Sequence, residues 1–171
     1  MEYLNRYTDL TSNQLVALRG DLCDLHPAMR DAFLRDGLVA QENGRLILTD
    51  HGAAVLARAE ALMSGQSPEP PLIIVQGDSH RLRPDRRRGL NAVALKALLN
   101  LARFPGQSWR WMCSTFGAST MQLLIRAGYI SGAERRGAPL HLTEEGLAVL
   151  KEALQKSNVE YFEQQRLGGN Q

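Results

Sequence analysis

The sequence predicts a mainly α-helical α+β chain in which one small architecture, a helix followed by a two-stranded β-hairpin and a second helix, occurs twice. Three observations predict it. A glycine–hairpin–glycine pattern recurs, apolar residues stand at helical spacing on either side of each copy, and a Ser/Gly/Pro-rich stretch separates the copies. In the pattern, Arg35-Asp36-Gly37-Leu38-Val39 precedes Leu48-Thr49-Asp50-His51-Gly52, as Arg126-Ala127-Gly128-Tyr129-Ile130 precedes Leu142-Thr143-Glu144-Glu145-Gly146. The first glycines lie 91 residues apart and the second 94, so the second copy is longer by three residues, an insertion that belongs in the hairpin tip.

Taken in order, residues 11–19 and 27–35 read as helices, and the connection 20–26 is too short for a convincing helix between them. Gly37 ends the second helix, since glycine accepts the left-handed backbone of a C-cap. Strands are expected over 38–41 and 45–48, joined at Asn43-Gly44, where both residues tolerate positive φ. Thr49 is placed to cap the next helix, on which Val55, Leu56, Ala59, Leu62 and Met63 share one face. Residues 64–71 read as a linker and 72–75 as a short buried strand.

In the second copy Leu90, Val93, Ala94, Ala97, Leu98 and Leu101 form an apolar helical stripe ended by Pro105-Gly106. Ser108 can cap a helix over 109–116, and Gly117-Ala118 turns into another over 119–127. Gly128 repeats the C-cap, strands follow near 129–131 and 139–142, and their tip carries Glu134-Arg135-Arg136-Gly137. Thr143 caps a helix bearing Leu147, Leu150 and Leu154, whose apolar face is expected to continue through Val159 and Phe162 to Leu167. Glycine inside a helix costs about 1 kcal/mol relative to alanine, so its recurrence at Gly52 and Gly146 predicts close packing against the hairpin. The resulting organisation is an acidic first unit (1–65), a linker with a short strand and an Arg-rich segment (66–88), a basic second unit (89–167) and a frayed tail (168–171).

Composition and charge narrow the function. With 44% apolar and 22% charged residues the chain has the balance of a folded soluble protein. No apolar run approaches the roughly 18 residues of a membrane span, and residues 1–9 hold no signal sequence, which predicts a cytoplasmic protein. Cys23 and Cys113 lack disulfide or zinc spacing and are expected as reduced, core-filling thiols. The net charge of +2 is unevenly divided: residues 1–65 carry six Arg against nine acids, residues 66–171 fourteen Lys plus Arg against nine. The second half is thus the better polyanion binder. Five arginines, Arg81, Arg83, Arg86, Arg87 and Arg88, stand against Asp85 alone in residues 81–88, a density that attracts phosphate through counterion release.

Catalysis finds little support. His26, His51, His80 and His141 are scattered outside metal-ligand spacing, Asp78-Ser79-His80 reads as a polar turn rather than a triad, and no phosphate-binding glycine loop is present. No enzyme activity, catalytic residue, metal or cofactor is therefore expected. Trp109 and Trp111 cannot share a helix face, so one is expected in the core and the other at a partner contact.

The repeated words Gly37-Leu38-Val39 … Leu48-Thr49-Asp50-His51-Gly52 and Gly128-Tyr129-Ile130 … Leu142-Thr143-Glu144-Glu145-Gly146 resemble the wing and following helix of MarR-like winged-helix proteins. The resemblance implies two winged helix-turn-helix units in tandem, the first lacking its middle helix. It also implies a sequence-selective, double-stranded-DNA-binding transcriptional regulator acting as a homodimer. On that template Ser119, Thr120, Gln122 and Arg126 approach base edges in the major groove, while Arg135 and Arg136 reach phosphate or the minor groove from the wing. The first unit then orients or dimerises the protein. The alternative expectation is a protein-interaction adaptor, like tandem winged helices of chromosome-segregation assemblies, or a phage or mobile-element inhibitor of a host complex. Under that alternative the acidic first unit meets a protein partner.

Overall fold

Glycine at the end of a helix decides where each hairpin begins. In the computed structural model, which describes residues 2–66, 69–76, 82–132 and 137–163, Gly37 and Gly128 take φ values of 69° and 74°. Each thereby turns the chain out of a helix and lets the following residue bond back: Leu38 N–H donates to Phe33 O at 2.9 Å and Tyr129 N–H to Leu124 O at 3.0 Å. The described residues divide into two compact units. The first takes residues up to Gln66 together with 107–111 and 137–139; the second takes most of the remainder.

In the first unit α1 (Glu2–Thr8), α2 (Ser12–Arg19) and α3 (Pro27–Arg35) precede the hairpin of β1 (Val39–Glu42) and β2 (Arg45–Leu48), and α4 (Asp50–Met63) follows. Thr11 and Gln14 form a full capping box at the start of α2. The 20–26 connection holds one turn of 3-10 helix, Leu22–Asp24, where a middle helix is expected to be missing. The helix α1 left no sequence signal, because Leu4 and Tyr7 are too few to establish a period. Leu4, Leu15, Leu18, Phe33, Leu38, Val39, Val55 and Ala59 form the core. The hairpin pairs Val39 with Leu48 and Glu42 with Arg45 around Asn43-Gly44, whose φ values of 50° and 77° are those the dipeptide predicts.

One carboxylate organises much of the polar interior of this unit. Asp9 is 2% exposed with φ 57°. Its Oδ1 accepts from Ser108 Oγ, and its Oδ2 from the N–H groups of Arg110 and Gly137, both at 3.3 Å. Ser108 N–H in turn donates to Arg6 O at 2.9 Å.

The second unit contains β3 (Ile73–Val75), α5 (Ala92–Arg103), most of α6 (Trp109–Phe116), α7 (Ala118–Arg126), the hairpin of β4 (Ile130–Gly132) and β5 (Leu140–Leu142), α8 (Glu144–Lys156) and β6 (Tyr161–Glu163). Its core gathers Leu90, Leu95, Leu98, Leu101, Met121, Leu124, Leu140, Leu150 and Leu154. The tip expected to carry Glu134, Arg135 and Arg136 lies outside the described residues, as do Arg81, Asp78-Ser79-His80 and the tail beyond Glu163.

Both hairpins are locked to the next helix by the same clasp. Thr49 Oγ1–H donates to Gly37 O at 2.7 Å and accepts from Gly52 N–H at 2.9 Å; Thr143 Oγ1–H donates to Gly128 O at 2.7 Å and accepts from Gly146 N–H at 3.0 Å. Each threonine N–H also donates at 3.1 Å to the carbonyl of the residue after the first glycine, Leu38 or Tyr129. A Cβ on Gly52 would stand 2.0 Å from Leu38 O, and one on Gly146 2.1 Å from Tyr129 O. The expected close packing is therefore present in both copies, and the contacted group is a backbone carbonyl.

Several expectations are corrected. Strands β1 and β4 start one residue late, because the backbone of Leu38 and Tyr129 is already engaged in the clasp. The helix expected to run through Phe162 stops at Lys156: Ser157 caps it, Asn158 takes φ 53°, and the chain returns as β6, antiparallel to β3 with Ile74 opposite Phe162. Strand β3 is only half buried, with Ile74 50% exposed. Met63 and Val93 point outward, Cys23 is exposed and Cys113 half-buried, so neither thiol fills the core. A hydrogen bond to Asp21 pushes the Cys23 thiol pKa up. Among the described residues no helix is long and apolar enough to cross a membrane.

Candidate nucleic-acid interface

The helix α7 presents two unlike faces because its apolar residues sit at three- and four-residue spacing. Met121 and Leu124 are fully buried, while Ser119, Gln122 and Arg126 lie exposed along the opposite side, beside the 43%-exposed Leu123. Thr120 is half-buried at the margin of this stripe. The N-cap is Gly117, with φ 87° and no side-chain bond to the first turn. The hydroxyls of Ser119 and Thr120 are thus not spent on capping, and the helix begins with N–H groups that no side chain closes. The structure places Ser119, Gln122 and Arg126 on one accessible stripe, immediately ahead of the β4–β5 hairpin.

The arginine segment is a built turn. Asp85 N–H donates to Leu90 O and Leu90 N–H to Asp85 O, at 2.8 and 2.9 Å, closing a bridge around the 3-10 turn Arg86–Arg88. Asp85 Oδ1 accepts from the N–H groups of Arg87 and Arg88 at 3.1 and 3.4 Å, and Gly89 at φ 66° ends the turn. Leu82 and Leu90 anchor its two ends in the core. Arg88 is exposed and reaches across to α8: its Nη1 lies 2.9 Å from Asp85 Oδ2 and 2.7 Å from Glu152 Oε2. Lys156 completes the group, 2.6 Å from Glu152 Oε1 and 3.9 Å from Asp85 Oδ2.

This network of two acids and two bases is neutral as a whole. The Arg88 guanidinium holds the Asp85 carboxyl below the usual carboxylate range, and Lys156 followed by Arg88 does the same for Glu152. Hydrogen bonds to Asp85 and Glu152 raise the Arg88 pKa in return. Arg88, expected to meet DNA, is thus paired with two carboxylates while remaining exposed. Arg83, Arg86 and Arg87 are exposed, and among the described residues no ion pair neutralises them. They line one concavity of about 510 Å³ with Pro84, Asp85, Ala153 and Lys156.

The other singled-out residues are distributed as follows. Arg81, Arg135 and Arg136 fall outside the described residues. No hydrogen bond or ion pair among the described residues joins the α7 stripe to the arginine turn. Trp109 and Trp111 are both half-buried, so the expected division into core and contact does not hold; Arg6 stacks over Trp111 at 5.9 Å. His26 Nδ1 accepts from Ala28 N–H as the cap of α3, and His141 lies 3.3 Å from Glu69. No group of three or more His, Cys, Asp or Glu among the described residues could hold a metal ion.

Sequence reasoning missed Asp85, Glu152 and Lys156 as the frame of the turn. Asp85 carried a signal, since an aspartate opening a run of exposed residues is a natural cap. Glu152 and Lys156 stand four apart on a helix, a pairing the sequence offers; their reach back to Arg88 does not appear in any local pattern. Comparison with protein-family models, with curated proteins and with solved structures found no match to this chain.

Proposed function

We propose that the protein is a sequence-selective DNA-binding regulator made of two winged-helix units, in which α7 of the second unit reads the major groove. The observation that carries the reading is the stripe Ser119–Gln122–Arg126. It is an exposed polar face on a helix whose first turn no side chain caps, followed directly by a hairpin. Hydroxyl, carboxamide and guanidinium groups are the donors and acceptors that base edges call for, and a helix of this diameter suits the major groove. Arg83, Arg86 and Arg87, which no ion pair among the described residues neutralises, supply an attractive field for the phosphate backbone.

The first unit supports a different role. Its corresponding helix α3 has Arg30 paired with Asp31 and Arg35 with Asp36, both at 3.5 Å, and residues 1–65 as a whole carry an acidic excess. Such a surface repels phosphate and suits orienting the protein or pairing two copies as a homodimer.

Selection of bound duplexes from a random double-stranded pool tests the reading. A shared sequence is expected to enrich, and Ser119→Ala/Gln122→Ala/Arg126→Ala is expected to lose discrimination worth about 1–3 kcal/mol per lost base contact. A pool that stays random against the folded wild-type chain would refute it and favour the adaptor reading.

A further inference from the structure

The concavity beside the arginine turn has features that a general attraction for DNA does not require. Four basic residues, Arg83, Arg86, Arg87 and Lys156, line it, and its one acid, Asp85, already accepts several hydrogen bonds. Asp85 accepts from Arg87 N–H, Arg88 N–H and Arg88 Nη1, with Lys156 nearby, so little of its negative charge faces outward. The backbone is fixed on both sides: Arg83 N–H donates to Ser157 Oγ at 3.0 Å, and the Asp85–Leu90 bridge closes the turn. Arg88 and Lys156 balance Asp85 and Glu152, which leaves the three positive charges of Arg83, Arg86 and Arg87 in excess on a rim whose backbone is already fixed. Preformed charge loses less on binding than charge that must first be ordered.

We infer that this concavity is a binding site for consecutive phosphate groups, an oligophosphate, with Arg83, Arg86 and Arg87 as its charged ligands. Guanidinium groups bind phosphate oxygens in pairs, and three of them match a chain of two or three phosphates better than a single one. A volume of about 510 Å³ accommodates a triphosphate group with a small appendage. The shared chemistry has two sources, the backbone of a nucleic acid or a free oligophosphate such as a nucleotide. The site stands whether or not the α7 stripe reads bases.

Calorimetric titration of the full chain with sodium tripolyphosphate, without DNA and at about 0.15 M salt, tests it. One equivalent is expected to bind, and Arg83→Gln/Arg86→Gln/Arg87→Gln is expected to weaken binding at least tenfold. The single change Arg86→Gln, which leaves the Arg88 network intact, is expected to weaken it several-fold. Arg19→Gln/Arg30→Gln/Arg35→Gln removes the same charge from the first unit and is expected to leave it unchanged, as is Ser119→Ala/Gln122→Ala/Arg126→Ala. Addition of duplex DNA separates the sources: displacement of tripolyphosphate assigns the site to the nucleic-acid backbone, simultaneous binding to a free oligophosphate. The inference is overturned if tripolyphosphate does not bind, binds in several equal equivalents, or binds the folded triple glutamine variant as tightly as the wild type. Failure of the duplex selection described above would leave this titration unaffected.

Discussion

A methyl group is enough to distinguish the clasp glycines from ordinary helical glycines. In an unconstrained helix Gly→Ala stabilises by about 0.5–1 kcal/mol. At Gly52 and Gly146 the added Cβ meets a backbone carbonyl at 2.0 and 2.1 Å, so the helix and the hairpin root must separate. We expect Gly52→Ala and Gly146→Ala each to destabilise by about 1–3 kcal/mol or more in urea unfolding, a reversal of the usual sign. Asp9 offers a second test at this scale. Asn tolerates the same left-handed backbone, so Asp9→Asn isolates the side-chain bonds. One carboxamide cannot accept from Ser108, Arg110 and Gly137 with both ends, and a buried donor is left unsatisfied. Loss of about 1–3 kcal/mol is expected by the same measurement, and an unchanged midpoint would show that the interior at Asp9 admits water. The sequence made the glycines conspicuous by repetition. Asp9 gave no sign, because its partners lie about a hundred or more positions away.

At the scale of elements, each clasp threonine serves a helix start and a hairpin root together. Removing the hydroxyl in Thr49→Ala or Thr143→Ala should cost about 1–2 kcal/mol, with Thr→Ser retaining most of it; thermal unfolding reads the difference. The arginine turn carries a pH dependence of definite sign. Asp85 and Glu152 have folded pKa values below their ordinary ones, so their contribution is complete above the ordinary carboxylate range. It is lost as pH falls through that range to the depressed folded values. Titration followed by NMR at the Arg88 side chain should show the network opening over that acidic window, and Glu152→Gln should move its onset to lower pH, because the remaining carboxylate, Asp85, then keeps both cations. The helices α2 to α8 were legible, as were both hairpins. Strand β6 was not: Val159 and Phe162 continue the spacing of α8, and only the cap at Ser157 with the left-handed Asn158 breaks it. Tertiary pairing with β3 then overrides the helical pattern.

For the molecule as a whole, the reading of function turns on how charge is divided. If the second unit neutralises phosphates, the logarithm of DNA affinity should fall with the logarithm of salt concentration, with a slope of about −0.9 per phosphate contact. Arg83→Gln/Arg86→Gln/Arg87→Gln should make that slope shallower while leaving base preference intact, whereas the α7 triple alanine variant should do the reverse. Anisotropy titrations at several salt concentrations separate the two. The sequence revealed that arginines cluster between 81 and 88, and the family resemblance singled out Ser119, Thr120, Gln122 and Arg126, of which all but the half-buried Thr120 lie exposed. Which arginines remain available was not legible, because the answer depends on Glu152 and Lys156, some sixty residues further along the chain.

The pairing of β3 with β6 has a mechanical consequence. Ile73 lies opposite Glu163, so the first residue of one strand meets the last residue of the other. Tension drawn through these two positions loads the rungs singly, as in peeling tape, and each gives way before its neighbour is stressed. An unfolding motor pulling at that end would therefore meet its weakest resistance first, with α8 exposed only after the ribbon has parted.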